Sequence, residues 1–349
     1  MPGDLTDMKA LIAAAATGRS LSEAEAERAF DIMMSGDATP AQMGGLLMAL
    51  RVRGETVEEI TGAARSMRAR MLKLEAPDGA LDTCGTGGDA KGTFNISTAA
   101  ALVLAGCGVP VAKHGNRALS SKSGAADVLT ALGVNIDADM NLVQTALTEA
   151  GITFLMAPRH HSATRHVGPA RVELGTRTIF NLLGPLSNPC LVKRQLLGVF
   201  DRRWLEPMAQ SLLELGHDKA WVVHGDGGFD EMTTTGMSFV AELKNGSIST
   251  FEVTPEDAGL PRATFEDIRG GDASVNAQAI LALLDGQPGP FRDTVLLTVA
   301  GGLIVADRSE TLREGVAIAS EAIDGGAARK VLGKLIEITN RPTGEPARP

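Results

Sequence analysis

The chain has 349 residues, of which 44% are hydrophobic and 40 are glycine, so it is long enough for two structural units with buried cores. Its net charge of −9 argues against a protein that mainly binds the phosphate backbone of nucleic acid. The absence of tyrosine and the presence of only two tryptophans also argue against a surface that stacks bases.

The cysteines and the apolar runs indicate the compartment. Cys84, Cys107 and Cys190 lack the close spacing of metal or redox motifs and are expected to be reduced. The first residues show no charged-then-apolar leader pattern, and no apolar run approaches the roughly 20 residues of a membrane span. We therefore expect a cytoplasmic protein that does not associate with a membrane.

The first part of the chain has the pattern of a helical unit. Three stretches match the capping box, in which Ser or Thr begins a helix and Glu or Gln follows three residues later: 20–23, 39–42 and 56–59. The segment 43–49 is apolar on nearly all sides. Burial against a partner subunit and burial against the chain's own α/β unit explain this segment equally well.

After Pro-Asp-Gly at 77–79, strand-like runs alternate with helical ones. The predicted strands are 81–83, 109–112, 153–156 and 220–224. This alternation is typical of a largely parallel sheet covered by helices. We therefore predict an α/β fold class, with a small N-terminal helical domain followed by a larger α/β domain that has a mostly parallel central sheet.

The later segments complete the predicted domains. Short helical pieces broken by Gly and Pro between 159 and 189 indicate that the chain crosses back to the helical unit. Asn-Gly at 245–246 predicts a hairpin, and three helices are predicted at 274–284, 291–306 and 312–338. The predicted domains are a helical unit of 1–76 with about 170–192, an α/β unit of 77–169 and 193–340, and a frayed tail of 341–349.

Two loops in the stretch 83–124 have the composition of anion-binding sites. Glycines at 85, 87, 88 and 92 lie between a strand and a helix that begins near Asn95, where backbone amides can wrap an anion. We call this segment, 85–92, the glycine loop. The second segment, 113–121, follows the next strand and carries two cations, an amide and hydroxyl groups, and we call it the lysine loop. Two such loops in one βαβ unit predict a ligand that carries phosphate at more than one place.

The glycine loop is not typical of a dinucleotide site. It satisfies G-x-G-x-x-A, but Asp89 and Gly92 prolong it, and the next strand ends in Lys113 and His114 rather than in an acid for the ribose. A Walker loop is excluded because no Gly-Lys-Ser/Thr follows.

Further charged side chains suggest a metal site and a carboxylate site. The adjacent acids Asp230 and Glu231 favour Mg²⁺, although alone they would indicate only a solvated acidic turn. His160, His161 and His166 lack a further ligand for zinc. Arginines at 165, 171 and 177 lie in an apolar segment and need an anion, which is either a structural acid or a ligand carboxylate.

Over nearly its full length, the chain resembles the anthranilate phosphoribosyltransferase family of tryptophan biosynthesis. The glycine and lysine loops are shared with pyrimidine nucleoside phosphorylases, whereas 171–189 is specific for the anthranilate enzymes. One departure is Thr164 in the stretch 161–165, where the family usually has Met, at a position that the resemblance associates with the anthranilate channel. The matching stretches are 49–56, 84–89, 95–98, 113–121, 171–181, 183–189 and 230–231.

The resemblance implies a Mg²⁺-dependent glycosyltransferase of the pentosyltransferase class. It would transfer phosphoribose from phosphoribosyl pyrophosphate (PRPP) to the amine of anthranilate and release pyrophosphate. It would act as a homodimer that forms through the helical domain, with two Mg²⁺ ions that arrive with substrate. No acid or base is expected, because an aromatic amine is already a neutral nucleophile, so catalysis would depend on positioning and charge stabilisation.

The resemblance also assigns residues. PRPP would be held by Gly85, Gly88, Asp89, Thr93, Asn95, Ile96, Ser97, Thr98, Lys113, His114, Gly115, Asn116, Arg117, Ala118, Leu119, Ser120 and Ser121. Anthranilate would contact Gly85, Asn116 and Arg171, and its route would be lined by His114, His161 and Pro185. The metal ligands would be Ser97, Asp230 and Glu231.

Two rival functions remain. A pyrimidine nucleoside phosphorylase-like enzyme would use phosphate and a nucleoside, and the stretch 171–175 counts against it. A non-catalytic relative that binds nucleic acid would carry a basic stripe and lack the paired acids, whereas this chain is acidic and has both acids.

Overall fold

The computed structural model describes residues 5–87, 91–118 and 122–342. Within these residues, the N-terminal unit is a bundle of four helices: α1 (Met8–Ala16), α2 (Glu23–Ser35), α3 (Pro40–Arg53) and α4 (Val57–Arg70). The capping boxes predicted at 39–42 and 56–59 are confirmed, since Thr39 and Thr56 each accept the N–H three residues later. The first box begins two residues later than predicted, because Ser22 rather than Ser20 is the N-cap.

The apolar segment of α3 is buried within the helical unit. Met43, Leu46, Leu47 and Leu50 are at most 3% exposed in the single chain. α3 packs against α1 and against a later helix, α9 (Gly168–Leu174). A partner subunit is therefore not needed to cover these four side chains, and the helices that pack on them, α1 and α9, belong to the helical unit rather than to the α/β unit.

The larger unit is built on a sheet of seven strands in the described residues, in the order β3-β2-β1-β4-β5-β6-β7. The first five strands are parallel, and β6 and β7 are antiparallel, so the predicted mostly parallel sheet is confirmed. The strands are β1 (Leu81–Gly85), β2 (Val111–Gly115), β3 (Ile152–Met156), β4 (Arg194–Gly198), β5 (Lys219–Gly225), β6 (Ser238–Lys244) and β7 (Ser247–Val253).

Helices cover both faces of the sheet. The remaining helices are α5 (Ile96–Gly106), α6 (Ala125–Ala131), α7 (Met140–Glu149), α8 (Ala157–His160), α10 (Phe180–Leu183), α11 (Leu205–Glu214), α12 (Ala273–Leu284), α13 (Pro290–Val305), α14 (Leu312–Asp324) and α15 (Ala327–Thr339). The predicted single helix over 312–338 is wrong, because Gly325 and Gly326 separate α14 from α15 and Gly326 has a φ of +73°.

Alternate residues of the central strands point into two separate cores. Leu196 and Trp221 pack with α5 and α13 on one face. Leu197 and Val222 pack on the other face with α11 and with the core of the helical unit. Residues of the crossing segment, such as Phe180, lie in this second core. The helical unit is thereby joined to the back of the sheet, while the exact limits of the two domains stay a prediction.

The end of the chain and the hairpin agree with simple local rules. Asn245 and Gly246 have φ values of +52° and +72° and form the predicted two-residue turn between β6 and β7.

Arg341 pairs with Glu149 and Glu337, and residues 343–349 of the predicted tail lie outside the described residues. In the part of the chain that the structure describes, no helix is long and apolar enough to cross a membrane.

Candidate active site

A cavity of about 410 Å³ lies where β1, β2 and β5 end. Since parallel strands end at the same edge of a sheet, the loops that follow them meet there. The helical unit closes the other side. The walls of the cavity come from residues within 84–98, 113–125, 157–164, 171–185 and 230–231, together with Met67 of α4.

The two adjacent acids join the glycine loop to the start of α5. The Gly87 N–H donates to Oδ2 of Asp230 at 2.7 Å. The Ser97 N–H, in the first turn of α5, donates to Oε1 of Glu231 at 3.1 Å. The carboxylates therefore lie beside backbone donors at the floor of the cavity, where two adjacent negative charges attract a cation.

Three glycines at strand ends make room for these acids. A Cβ on Gly198, the last residue of β4, would lie 1.6 Å from the Asp230 carbonyl oxygen. A Cβ on Gly85 would lie 2.5 Å from Oδ2 of Asp230, and one on Gly225 would lie 2.7 Å from the Glu231 carbonyl oxygen. No side chain fits at these positions, so the loop that carries the acids rests directly on the ends of β1, β4 and β5.

The lysine loop is fixed from below by a buried acid. Lys113 is 3% exposed, and its Nζ donates to the carbonyl oxygen of Thr83. Asp82 is fully buried beneath it and accepts the His114 N–H at 3.0 Å and Nδ2 of Asn188 at 2.8 Å. Burial raises the pKa of Asp82, and the charge of Lys113 acts in the opposite direction. These contacts hold Lys113 in the cavity wall between β1 and β2.

The rest of the lysine loop is held by Asp127 at the start of α6. This carboxylate accepts the N–H groups of Ala118 and Gly124, both at 2.9 Å, and pairs with Arg117 at 3.3 Å. Burial acts to raise the pKa of Asp127, but these hydrogen bonds outweigh it and the net pKa is lowered. Arg117 lines the cavity while its side chain is 51% exposed, so it is both a cavity residue and a surface ion pair.

Two neutral histidines form the opposite part of the wall. The rings of His114 and His161 lie with centroids 5.1 Å apart, and Nδ1 of His114 is 3.1 Å from the carbonyl oxygen of Gly184. Burial holds the pKa of His114 well below its usual value and lowers the pKa of His161 to about 4. Both rings are uncharged near neutral pH and leave this part of the cavity without positive charge.

Arg171 is the cation that faces this neutral region. It is half-buried in the cavity wall, with its guanidinium carbon 5.1 Å from the centre of the Phe180 ring. Burial lowers its pKa. Among the described residues, no carboxylate lies within ion-pair distance of Arg171. Arg177 instead stacks on Phe200 at 4.1 Å, and Arg165 lies on the surface. Of the three arginines, Arg171 is thus the one whose surroundings favour a ligand anion.

Most of the predicted site residues lie in this cavity. Ile96 does not, because its side chain is 1% exposed in the core of the α/β unit. Gly88, Asp89, Leu119, Ser120 and Ser121 lie outside the described residues. The cavity brings together Gly85, Thr93, Asn95, Ser97, Thr98, Lys113, His114, Gly115, Asn116, Arg117, Ala118, His161, Arg171, Pro185, Asp230 and Glu231.

Several wall residues were not predicted. Phe94, Ser123, Phe180 and Asn181 line the cavity. The last two fall in the stretch 171–181, whose likeness to the anthranilate enzymes was the available signal. Phe94 and Ser123 are adjacent to predicted residues, but single aromatic and hydroxyl side chains give no signal of their own. Thr164, which departs from the family pattern, also lines the cavity.

Comparisons with known proteins agree with this geometry. A family model described as "Glycosyl transferase family, a/b domain" matches residues 77–329, and its helical bundle counterpart matches residues 9–71. The anthranilate phosphoribosyltransferase of Azospirillum brasilense is 65% identical over 99% of this chain and 97% of its own length.

Solved structures of related enzymes have the same fold. The crystal structure of anthranilate phosphoribosyltransferase from Thermus thermophilus matches with a TM-score of 0.90 and 43% identity, over 95% of this chain and 99% of that one. The Saccharomyces cerevisiae enzyme in complex with PRPP and Mg matches with a TM-score of 0.87 and 27% identity, over 95% and 97% of the two chains. A further structure of the yeast enzyme contains 4-fluoroanthranilate.

Proposed function

The chain belongs to the anthranilate phosphoribosyltransferase family, and we propose that it transfers phosphoribose from PRPP to the amine of anthranilate in tryptophan biosynthesis. The products are N-(5-phosphoribosyl)anthranilate and pyrophosphate. One observation is the main support for this proposal. A single cavity combines a glycine loop, a buried lysine and two acids on one side with Arg171 and a neutral wall on the other.

The first side suits a leaving pyrophosphate. When the bond between C1 of the ribose and pyrophosphate breaks, negative charge builds on the leaving group. The described part of the glycine loop, the start of the 11-residue helix α5 and the ammonium of Lys113 line this side of the cavity. Fixed donors and charges of this kind stabilise the developing charge without reorganising. We therefore propose that PRPP binds at this side through the predicted residues that line the cavity, and not through Ile96, which is buried in the core.

The donor set of the two acids fits Mg²⁺. Asp230 and Glu231 supply hard carboxylate oxygens, and each has one oxygen hydrogen-bonded to a backbone N–H, which orients the group. Bound there, Mg²⁺ would supply positive charge against the phosphates of PRPP. Ser97 would complete the set, and two ions are part of this proposal.

The second side suits anthranilate. Its carboxylate would pair with the half-buried guanidinium of Arg171, in a region where that charge has no partner among the described residues. Asn116 and Gly85 would complete the contact. The amine needs no base because it is already neutral, and the uncharged His114 and His161 border its route with Pro185. A pyrimidine base carries no carboxylate, so a half-buried arginine without a carboxylate partner in the described part of this wall favours anthranilate over a nucleoside.

The assembly and compartment belong to the same proposal. Val52 on α3 and Val172 on α9 are 82% and 81% exposed, and these helices pack against each other in the helical unit. Two exposed apolar side chains on one unit support a homodimer that forms through it. Cys84, Cys107 and Cys190 are free thiols, in keeping with a reducing cytoplasmic compartment.

The direct test is the loss of anthranilate fluorescence after mixing with PRPP, with and without Mg²⁺. We expect the fluorescence to fall only when all three components and the protein are present. A double variant, Asp230→Asn with Glu231→Gln, should lose most of the turnover and require more Mg²⁺, because its side chains keep their shape but not their charge. Near-normal turnover in that variant would remove these acids from the metal site, and no reaction in the wild-type protein would overturn the proposed function.

A further inference from the structure

A chain of hydrogen bonds connects α12, which lies outside the cavity, to Asn95 in the cavity wall. The backbone N–H of Gly271 donates to Oδ1 of Asn276 at 2.8 Å. Nδ2 of Asn276 donates to Oδ1 of Asn95 at 2.8 Å. Asn276 is 1% exposed and does not line the cavity. Its two hydrogen bonds therefore form in an interior where an unmade bond is costly.

Asn95 in turn connects to the end of the lysine loop. Its Nδ2 donates to the carbonyl oxygen of Ser123 at 3.2 Å, and its Oδ1 accepts from Oγ of Ser123 at 3.1 Å. Asn95 immediately precedes α5, whereas Ser123 immediately precedes the N-cap of α6. This one side chain thus links the two anion-binding loops.

The sequence of donors fixes which way both amides face. A backbone N–H can only donate, so Asn276 must turn its oxygen to Gly271 and its NH₂ to Asn95. The oxygen of Asn95 must then face Asn276, and both of its lone pairs are taken, by Asn276 and by Ser123. One of the two N–H groups of the Asn95 side chain donates to the Ser123 carbonyl oxygen. The second N–H is therefore the donor that this side chain can still offer to a ligand.

We propose that Asn276 is a positioning residue that makes Asn95 offer an N–H donor, rather than a carbonyl oxygen, to PRPP. This inference rests on the proposed function. The phosphates of PRPP accept hydrogen bonds and cannot donate them when ionised, so a carbonyl oxygen at the same place would repel the ligand. Asn276 acts through Asn95 and does not touch the substrate.

The variant Asn276→Asp tests this directly. The Gly271 N–H still has an acceptor, but both carboxylate oxygens can only accept. The Asn95 amide then either faces a carboxylate with its own oxygen, or turns its NH₂ to α12 and sets its oxygen toward the cavity and against the carbonyl oxygen of Ser123. We expect the KM for PRPP to rise about tenfold, the worth of one hydrogen bond to a charged group. The KM for anthranilate should stay within about twofold of the wild-type value, since Arg171 is unaffected.

Two further variants separate this role from a structural one. Gln278→Glu adds the same charge on the exposed face of α12 and should leave both KM values unchanged. Asn276→Ala removes the anchor without a new charge. The Asn95 amide is then held by Ser123 alone, and the KM for PRPP should rise about threefold. If the Asn276→Asp protein does not fold, the KM for PRPP of the Asn276→Ala protein decides whether Asn276 has this role.

The outcomes distinguish this inference from the proposed function. Wild-type protein that does not react with PRPP and anthranilate would overturn both. Active wild-type protein with an unchanged KM for PRPP in the folded Asn276 variants would overturn the positioning role alone. Equal rises in both KM values would also overturn it, because a general loosening of the structure does not discriminate between the substrates.

Discussion

At the scale of single residues, the proposed anthranilate contact depends on Arg171, a half-buried cation in the cavity wall. Three arginines recur at 165, 171 and 177, and the sequence left a structural acid and a ligand carboxylate equally open. The structure separates them, since Arg177 stacks on Phe200, Arg165 is exposed and Arg171 lines the cavity. This distinction depends on how the short helices of the segment fold together, which periodicity along the chain does not reveal.

Replacing Arg171 tests its role. We expect Arg171→Ala to raise the KM for anthranilate by about 10- to 150-fold, because a hydrogen bond to a charged group contributes about 1.5–3 kcal/mol. Steady-state kinetics with each substrate varied in turn measures the effect. Arg165→Ala is the matched control and should have little effect on either substrate. A change confined to the KM for PRPP would contradict the assignment of Arg171 to anthranilate.

The buried histidines predict how stability depends on pH. Burial lowers the pKa of His161 to about 4 and of His217 to about 3, from an ordinary value of 6.5. Between these values the unfolded chain binds protons that the folded chain does not, so acid favours unfolding. The free energy of unfolding should fall as the pH drops from about 6.5 to 4, by up to about 1.4 kcal/mol per pH unit for each histidine.

Denaturant unfolding at several pH values measures this dependence. His161→Gln should remove one histidine's share of the slope between pH 6.5 and 4. Above pH 6.5 the profile of this variant should run parallel to that of the wild-type protein. Equal slopes for the two proteins below pH 6.5 would mean that His161 does not stay neutral in the folded state.

At the scale of elements, the strand that was not predicted is the one at the centre of the sheet. β4 begins with the polar residues Arg194 and Gln195, which are untypical of a buried central strand. In the structure Arg194 pairs with Asp307, and Gln195 donates to the carbonyl oxygen of Pro185 at 2.7 Å. Pro185 is 10 residues away and Asp307 lies much later in the chain, so the residues next to Arg194 and Gln195 give no reason to bury these side chains. Strands composed mostly of apolar residues, such as β3, were predicted.

Because β4 was not predicted, the role of Gly198, the last residue of this strand, was not predicted either. In the structure Gly198 lies against the backbone of Asp230. We expect Gly198→Ala to displace the Asp230 backbone, since the added Cβ would lie 1.6 Å from its carbonyl oxygen. Turnover should fall by about 100-fold or more with a higher Mg²⁺ requirement, and overpacking should cost about 1–3 kcal/mol of stability.

A second glycine serves as the control for this variant. Gly333 lies within α15, where an added Cβ meets nothing within 4 Å. Gly333→Ala should keep full activity and stabilise the helix by about 0.5–1 kcal/mol. Activity titrated against Mg²⁺, together with thermal unfolding, measures both variants. If the Gly198→Ala protein has an unchanged Mg²⁺ requirement, the contact between the end of β4 and Asp230 does not position the acids.

At the scale of the whole molecule, part of the site follows from topology alone. Gly85 and Lys113 lie at the ends of β1 and β2, Asp230 lies in the loop after β5, and a parallel sheet brings the ends of these strands to one edge. Their convergence could therefore be predicted once the strands were recognised. The opposite wall could not, because it depends on how 157–185 packs against the helical unit. That packing, seen in Phe180 and Met67, is set by contacts between distant parts of the chain.

The central claim is that these loops and the two acids hold one molecule of PRPP. The most direct measurement is the difference electron density of crystals of this protein soaked with PRPP and Mg²⁺. We predict that one molecule of PRPP contacts the glycine loop and the lysine loop at the same time and lies beside Asp230 and Glu231. Density for PRPP elsewhere, or with these segments contacting separate molecules, would contradict the account.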